Sequence, residues 1–289
     1  MNLKTIKRTS LQSIYNHLGY NKSMNGFNAD VSKLFRGQSQ DYRNLKPTLA
    51  RLDQDDIDFA QDINSNIDQI MTHFDGEPNM SVPLFDIDQV GILQHFSWPT
   101  ALLDWTASLE VASYFALSDA NQEQECVIYE LDLNILNDDC YRSTNNKTWV
   151  SPDCNTPLII HELDFLKSFD MEALFKRWWC QDGYVIAPSN FTSKDLKDWD
   201  LLANTDIQKA ITVHHFLPQK SDINLFDVRR LYDLKRTRGG KDIYDDTPNQ
   251  IKDALMTIPD KLGKSIPDHF QNIINNLFTV REATYIDGM

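Results

Sequence analysis

The sequence predicts an α+β fold: a small mixed β-sheet core with surrounding helices, plus a helical C-terminal extension. Two observations carry the expectation. Short apolar or alternating runs, CVIYELDL at 126–133, GYVIAP at 183–188 and KAITVHHFL at 209–217, have the length and composition of strands. Segments with helical apolar spacing lie among them, but in no strict strand–helix–strand rhythm, and no glycine-rich turn follows a strand. With 289 residues, 41% of them hydrophobic, the chain is long enough to bury a sizeable core.

Taken in order, residues 1–22 read as a short helix with Leu11, Ile14, Tyr15 and Leu18 on one face. DVSKLFRG, 30–37, reads as a strand ending at Gly37. Residues 53–74 bring Ile57, Ala60, Ile63, Ile67, Ile70 and Phe74 to one helical face and leave Asp and Asn on the other. Gly and Pro make 76–83 a loop, and 84–96 a further helix stopped before Pro99. Residues 104–118 read as a helix capped by Asp104 or Thr106. Between the second and third strands, 151–157 is a loop; beyond the last, 224–234 is helical and 236–248 is a linker-like break. Residues 249–289 are helical with apolar faces (Ile251, Leu255, Ile258; Phe270, Ile273, Ile274, Leu277) that offer a surface to a protein partner. The expected organisation is one domain over 1–235 and a linker with the helical extension over 236–289.

Charge narrows the functions. The net charge is −14, and residues 52–141 hold nineteen Asp/Glu and no Lys or Arg. Such a surface repels polyanions and acidic membranes, so general nucleic-acid binding is not expected. No apolar run reaches the length of a membrane span, no leader peptide is recognisable, and the four cysteines form no CxxC pair. Together these place the chain, as an expectation, in the cytoplasm with reduced thiols. The exception to the acidic half is KLFRGQSQDYRNLKPTLAR, 33–51, with five basic side chains in nineteen positions. Arg229–Lys241 is also basic, but its interleaved Asp residues make it a solvated face.

Neither a P-loop nor a G-x-G-x-x-G is present. His161-Glu162 lacks the second histidine of a zincin, and His214 and His215 on a strand point to opposite faces, so no protein-bound metal is expected. The informative run is GILQHFSWPTALLDWTASLEVASYFA, 91–116. Its apolar residues suit a core, while Gln94, His95, Thr100, Asp104 and Thr106 are polar groups among large apolar ones and need partners or a ligand.

Three pieces, Phe35-Arg36-Gly37-Gln38, Lys46-Pro47-Thr48-Leu49-Ala50-Arg51, and Gln94-His95-Phe96-x-x-Pro99-Thr100-x-Leu102-Leu103-Asp104-Trp105-Thr106 followed by Ala112-x-x-Phe115-Ala116, closely resemble the FRG domain, named for its Phe-Arg-Gly motif. A further element, Arg177 with Gln181, Gly183 and Tyr184, resembles the family's R-x-x-x-Q-x-G-x-F, and the resemblance extends over roughly 28–220. Two positions depart from the family pattern: Ala101 stands where Arg is usual, and Ser97 where Gly is usual.

A strand-borne Arg-Gly is also similar to the first motif of ADP-ribosyltransferases, where the arginine holds a nicotinamide dinucleotide. The resemblance implies NAD as ligand, Arg36, Gly37, Gln38, Arg51, Gln94, Thr100 and Thr106 as binding residues, and Gln181, Asp104 and His95 as catalytic candidates. It implies an ADP-ribosyltransferase-like or NAD glycohydrolase-like toxin or phage-defence effector. Arg36 suits the role because a guanidinium offers a bidentate fork to phosphate oxygens. The superfamily's glutamate is missing: the position two after Gln181 is Gly183. The alternative is a non-catalytic nucleotide- or protein-binding module, in which Arg36, Arg43 and Arg51 bind the ligand; in a purely structural role, Arg36 would instead pair with Asp104 inside the fold. The site is expected where the Arg36 strand end, the Gln94–Thr106 turn and the Gln181 strand meet.

Overall fold

The computed structural model describes residues 3–18, 32–66, 86–95, 98–117, 124–137, 142–143, 148–150, 158–163, 183–219 and 255–276. The expected helix at 224–234 and break at 236–248 lie outside them, as do Gln181 and the side chain of His95.

The sheet is larger than the sequence suggests. Its nine strands are β1 (Lys4–Arg8), β2 (Lys33–Gln38), β3 (Leu103–Thr106), β4 (Cys126–Asp132), β5 (Arg142–Ser143), β6 (Thr148–Val150), β7 (Leu158–Glu162), β8 (Gly183–Pro188) and β9 (Ile211–Phe216). Their order is β1-β9-β4-β2-β3-β8-β7-β6-β5. Only β1 and β9 run parallel, which makes the sheet mixed; the other pairs are antiparallel. Helices α1 (Leu11–His17), α2 (Gln54–Asn64), α3 (Asp86–His95), α4 (Leu109–Leu117), α5 (Leu133–Asn137), α6 (Thr205–Ala210) and α7 (Asp268–Asn276) surround it, and 255–261 is also helical. The architecture is α+β.

Two expected helices are shorter because strands precede them. Residues 4–8 are an edge strand, and α1 starts at Leu11 with Ser10 as its cap, the Ser10 hydroxyl accepting from Ser13 N at 3.3 Å. Asp104 does not cap a helix; it lies within β3, and α4 begins five residues later. There the Thr106 hydroxyl accepts from Ser108 N (3.0 Å) and the Ser108 hydroxyl from Val111 N (3.3 Å), so the turn after β3 is closed by two short side chains. The α2 periodicity holds where it is described: Ile57, Ala60 and Ile63 are buried, and Asp53 caps the helix by accepting from Asp56 N at 3.0 Å.

Both faces of the sheet are covered. Leu34, Leu103, Trp105, Val127, Tyr129 and Ile186 face one way and pack with Ile207 and Leu201. Phe35, Ile128 and Phe216 face the other way, under α1 and α4. The third cluster joins α2 and α3 to β8 and includes Leu255, Ile258, Phe270 and Ile274, each with no exposed surface. The residues expected to form an extension thus complete a core, with the Phe270 ring 4.8 Å from Phe59 and 5.2 Å from Trp98. Cys126 is a buried free thiol, and burial pushes it up to about 11.

A charged group is buried under the β4–β9 pair. Glu130 accepts from Lys33 Nζ at 2.5 Å and from His214 Nε2 at 2.7 Å. Burial alone raises a carboxyl, but these two hydrogen bonds outweigh it and hold Glu130 at about 2. His214 and His215, as expected for neighbours on a strand, separate: His215 Nδ1 bonds Glu125 at 3.2 Å instead.

Candidate functional site: a cation-lined cleft between β2 and β3

The three sequence pieces come together because β2 and β3 are neighbours that scarcely pair. The ladder is made only at Phe35 and Thr106. Continued in the same antiparallel register, it would set Gly37 opposite Asp104. Instead the Arg36 guanidinium reaches across, and Nη1 donates to the Asp104 backbone carbonyl at 2.5 Å. A cleft of about 340 Å³ opens at this end of the strands, within the size range of ligand pockets. Arg36, Lys46, Arg51, Gln94, Trp98 and Asp104 are among its lining residues.

The cationic wall is built by the segment after β2. It turns at Arg43, whose N–H is held by the Asp41 carboxylate at 2.8 Å, and then meets the turn before β3. Leu49 N donates to Thr100 O (3.1 Å) and Asp198 N to Ala50 O (3.2 Å), which fastens 46–51 across the turn before β3. Arg51 closes the segment on itself, donating from Nε (3.0 Å) and Nη2 (2.7 Å) to the Lys46 carbonyl. Lys46 Nζ is held by Asp198 at 2.8 Å. Lys46 is therefore placed by a carboxylate outside the cleft lining, and Arg51 by the backbone of its own segment.

Arg36 differs from them. Its Nε is buried and has no hydrogen-bond partner, and no carboxylate bonds its guanidinium among the described residues. Burial lowers its pKa; the charge of Asp104 opposes that, and the charge of Arg51 adds to it. A buried donor without a partner carries a desolvation penalty that a bound acceptor would relieve. Trp98, also in the wall, has a second such donor in Nε1.

The opposite wall is a relay. The Thr100 hydroxyl, buried at 1% exposure, donates to Gln94 Oε1, and Gln94 Nε2 donates to Asp104 Oδ1 at 2.5 Å. The hydroxyl also accepts from Leu102 N at 3.3 Å, which fixes the turn. Because Thr100 takes the carbonyl end of Gln94, the amide can present only its NH₂ to Asp104. Asp104 is exposed at the cleft, unlike its neighbours in β3.

Of the sequence-derived site residues, Arg36, Arg51, Gln94 and Asp104 line this cleft together, and Thr100 stands behind Gln94. Thr106 and Gln38 do not line it: Thr106 closes the α4 turn, and Gln38 is buried at the C-terminal end of β2. Gly37 serves packing. A Cβ there would lie 1.7 Å from the Ala112 carbonyl oxygen and 2.8 Å from Ala116 N. The Arg-Gly pair and the Ala-x-x-Phe-Ala helix are two sides of one contact, in which α4 lies directly on the β2 backbone. The basic run points to Lys46 as an anion-holding cation, whereas nothing in the sequence singles out Trp98 as a wall residue.

Among the described residues, no group of three or more His, Cys, Asp or Glu is placed to hold a metal ion, and no helix is long and apolar enough to cross a membrane. Residues 32–125 match the family model of the FRG domain. The chain carries an FRG domain that runs from the start of β2 to the residue before β4 and contains every wall of the cleft described above. No curated protein and no solved structure is significantly similar to the chain.

Proposed function

We propose that the cleft binds a phosphate-bearing nucleotide, with NAD as the ligand, and that the chain is an ADP-ribosyltransferase-like toxin or defence effector. The observation that carries the reading is Arg36: a half-buried side chain whose Nε is buried and unpartnered, in a wall it shares with Lys46 and Arg51. Phosphate oxygens are the acceptors to which such a fork donates best. The cleft volume suits one nucleotide unit with its phosphates.

In this reading the glycosidic C–N bond of NAD breaks with its electron pair leaving on the nicotinamide nitrogen. Water or another nucleophile bonds to the ribose carbon and gives up its proton to solvent. Asp104, the carboxylate of the wall, supplies negative charge beside the cationic ribose as it forms. Gly37 takes no part in contacting the ligand.

A second reading, a non-catalytic nucleotide-binding module, is favoured by one observation. Among the described residues Asp104 is the only carboxylate lining the cleft, and Gln94 is committed to it. Calorimetry with ADP-ribose and NAD, beside an assay for nicotinamide release, separates the two. Arg36→Gln is expected to weaken binding roughly 10- to 100-fold, the worth of a charge-assisted contact, with its melting temperature little changed. Binding with nicotinamide release supports the enzyme, and binding without release supports the module. Equal affinity in the wild type and Arg36→Gln overturns the site.

A further inference from the structure

One edge of the sheet is β1, which ends the strand order and pairs with β9 alone among the described residues. No other described element makes a backbone hydrogen bond to Lys4–Arg8. Lys4, Thr5 and Lys7 are exposed, and Ile6 and Arg8 are half-buried. Such an edge presents unpaired N–H and C=O groups, a template for one more strand.

The two faces of β1 differ in chemistry. Ile6 pairs with His214, so Lys4, Ile6 and Arg8 share the face of the sheet on which the His17 ring of α1 stands 6.1 Å from His214. The pKa of His17 is lowered by burial first and then by the charges of Arg8, His214 and Lys4, which sets both cations near it. Leu3 and Thr5 alternate to the other face, where they border an open hollow of about 640 Å³ with Leu202 and Ala203 in its lining.

Charge decides which strand suits this edge. KTIKR holds three bases and no acid, in a chain of net charge −14. Lys4 and Arg8 make no ion pair among the described residues, and Arg8 Nε is buried without a hydrogen-bond partner. Lys7, on the other face, reaches Glu125 at 3.8 Å. Bases on an edge repel a neutral or basic strand and admit an acidic one. Because Lys4 and Arg8 lie on one face, a strand with carboxylates at every second position sets them opposite both.

We infer that β1 is a docking edge for an extended segment of a partner protein, with acidic side chains at every second position beside Lys4 and Arg8 and apolar side chains between them toward the Leu3–Thr5 hollow. The inference is independent of what the cleft binds.

The test is fluorescence anisotropy of the full chain with a short labelled peptide of alternating valine and glutamate, beside an alternating valine–lysine peptide and polyglutamate. Wild type is expected to bind the valine–glutamate peptide about tenfold more tightly than either, the worth of two opposite-charge cross-strand pairs. Amide hydrogen exchange at 4–8 slows on binding. Lys4→Glu combined with Arg8→Glu reverses the preference between the two alternating peptides; if that variant does not fold, Lys4→Glu alone, on an exposed side chain, narrows it. Arg36→Gln leaves peptide binding unchanged. The inference is overturned if the glutamate and lysine peptides bind alike, if polyglutamate binds as tightly as the alternating peptide, or if exchange at 4–8 is unaffected. Absence of binding at millimolar peptide overturns it as well. A chain that sediments as a dimer dissociated by Lys4→Glu assigns the edge to a second copy and overturns the partner protein.

Discussion

At the scale of single residues, the chain handles buried charge in two ways. Glu130 is buried but satisfied, by Lys33 on one side and His214 on the other. Arg36 is half-buried, and its buried Nε is unsatisfied. The first pattern holds a fold together and the second leaves room for a ligand. Glu130 also makes a pH prediction. Its carboxyl falls from the ordinary 4.5 to about 2 on folding, so between those values the unfolded chain binds the extra proton. The resulting stability, on the order of 2–3 kcal/mol, is fully present above the unfolded value and is lost as pH falls through the folded one. Urea midpoints of wild type and Glu130→Gln should therefore differ clearly at pH 7 and converge toward pH 3. A gap that stays constant with pH would show that the loss in the variant comes from packing alone.

At the scale of elements, the contact between β2 and α4 decides where the cleft can be. Gly37 lets the helix backbone lie on the strand, with Ala112 and Ala116 keeping the helix surface low. The neighbouring Arg36 then points to the other face, toward Tyr129, and out to the Asp104 carbonyl. Tyr129 is itself raised above the usual phenol range by burial and by the Asp41 carboxylate, which keeps it neutral beside the guanidinium. Gly37→Ala is expected to cost more than the ~1–3 kcal/mol of ordinary overpacking, because the atom met is backbone and cannot rotate away. Soluble yield and melting temperature check this. A variant that melts within a few degrees of wild type would mean that α4 can lift off the strand, and the packing account of the motif would fail.

At the scale of the whole molecule, the C-terminal helices and the cleft share a residue. Trp98 lines the cleft and packs on Phe270, which in turn packs on Phe59 of α2. Phe270 is more than 170 residues from Trp98 in the chain, yet neither has more than 1% of its surface exposed. Phe270→Ala is expected to destabilise the protein by about 3–5 kcal/mol in urea unfolding and to weaken nucleotide binding as Trp98 loses its support. Unchanged stability would mean that 255–276 adds nothing to the core.

Local chemistry set much of this in the sequence. The α2 face, the strands at β4, β8 and β9, and the opposite facing of His214 and His215 follow from periodicity within a few residues. The basic run with Arg36, and Gln94, Thr100 and Asp104 as polar groups among large apolar ones, were legible because such groups need partners wherever they fold. Pairings between distant residues were not legible. β1 is an exposed five-residue edge strand whose partner lies some two hundred residues away, so nothing in KTIKR marks it as a strand. Residues 104–106 read as the start of the following helix because so short a strand as β3 carries too little pattern to separate from it. Which wall each polar residue serves, why Gly37 must be glycine, and that the last helices close the core depend on what packs against them. That is decided by tertiary contact, because a side chain's chemistry is its own but its partners belong to the fold.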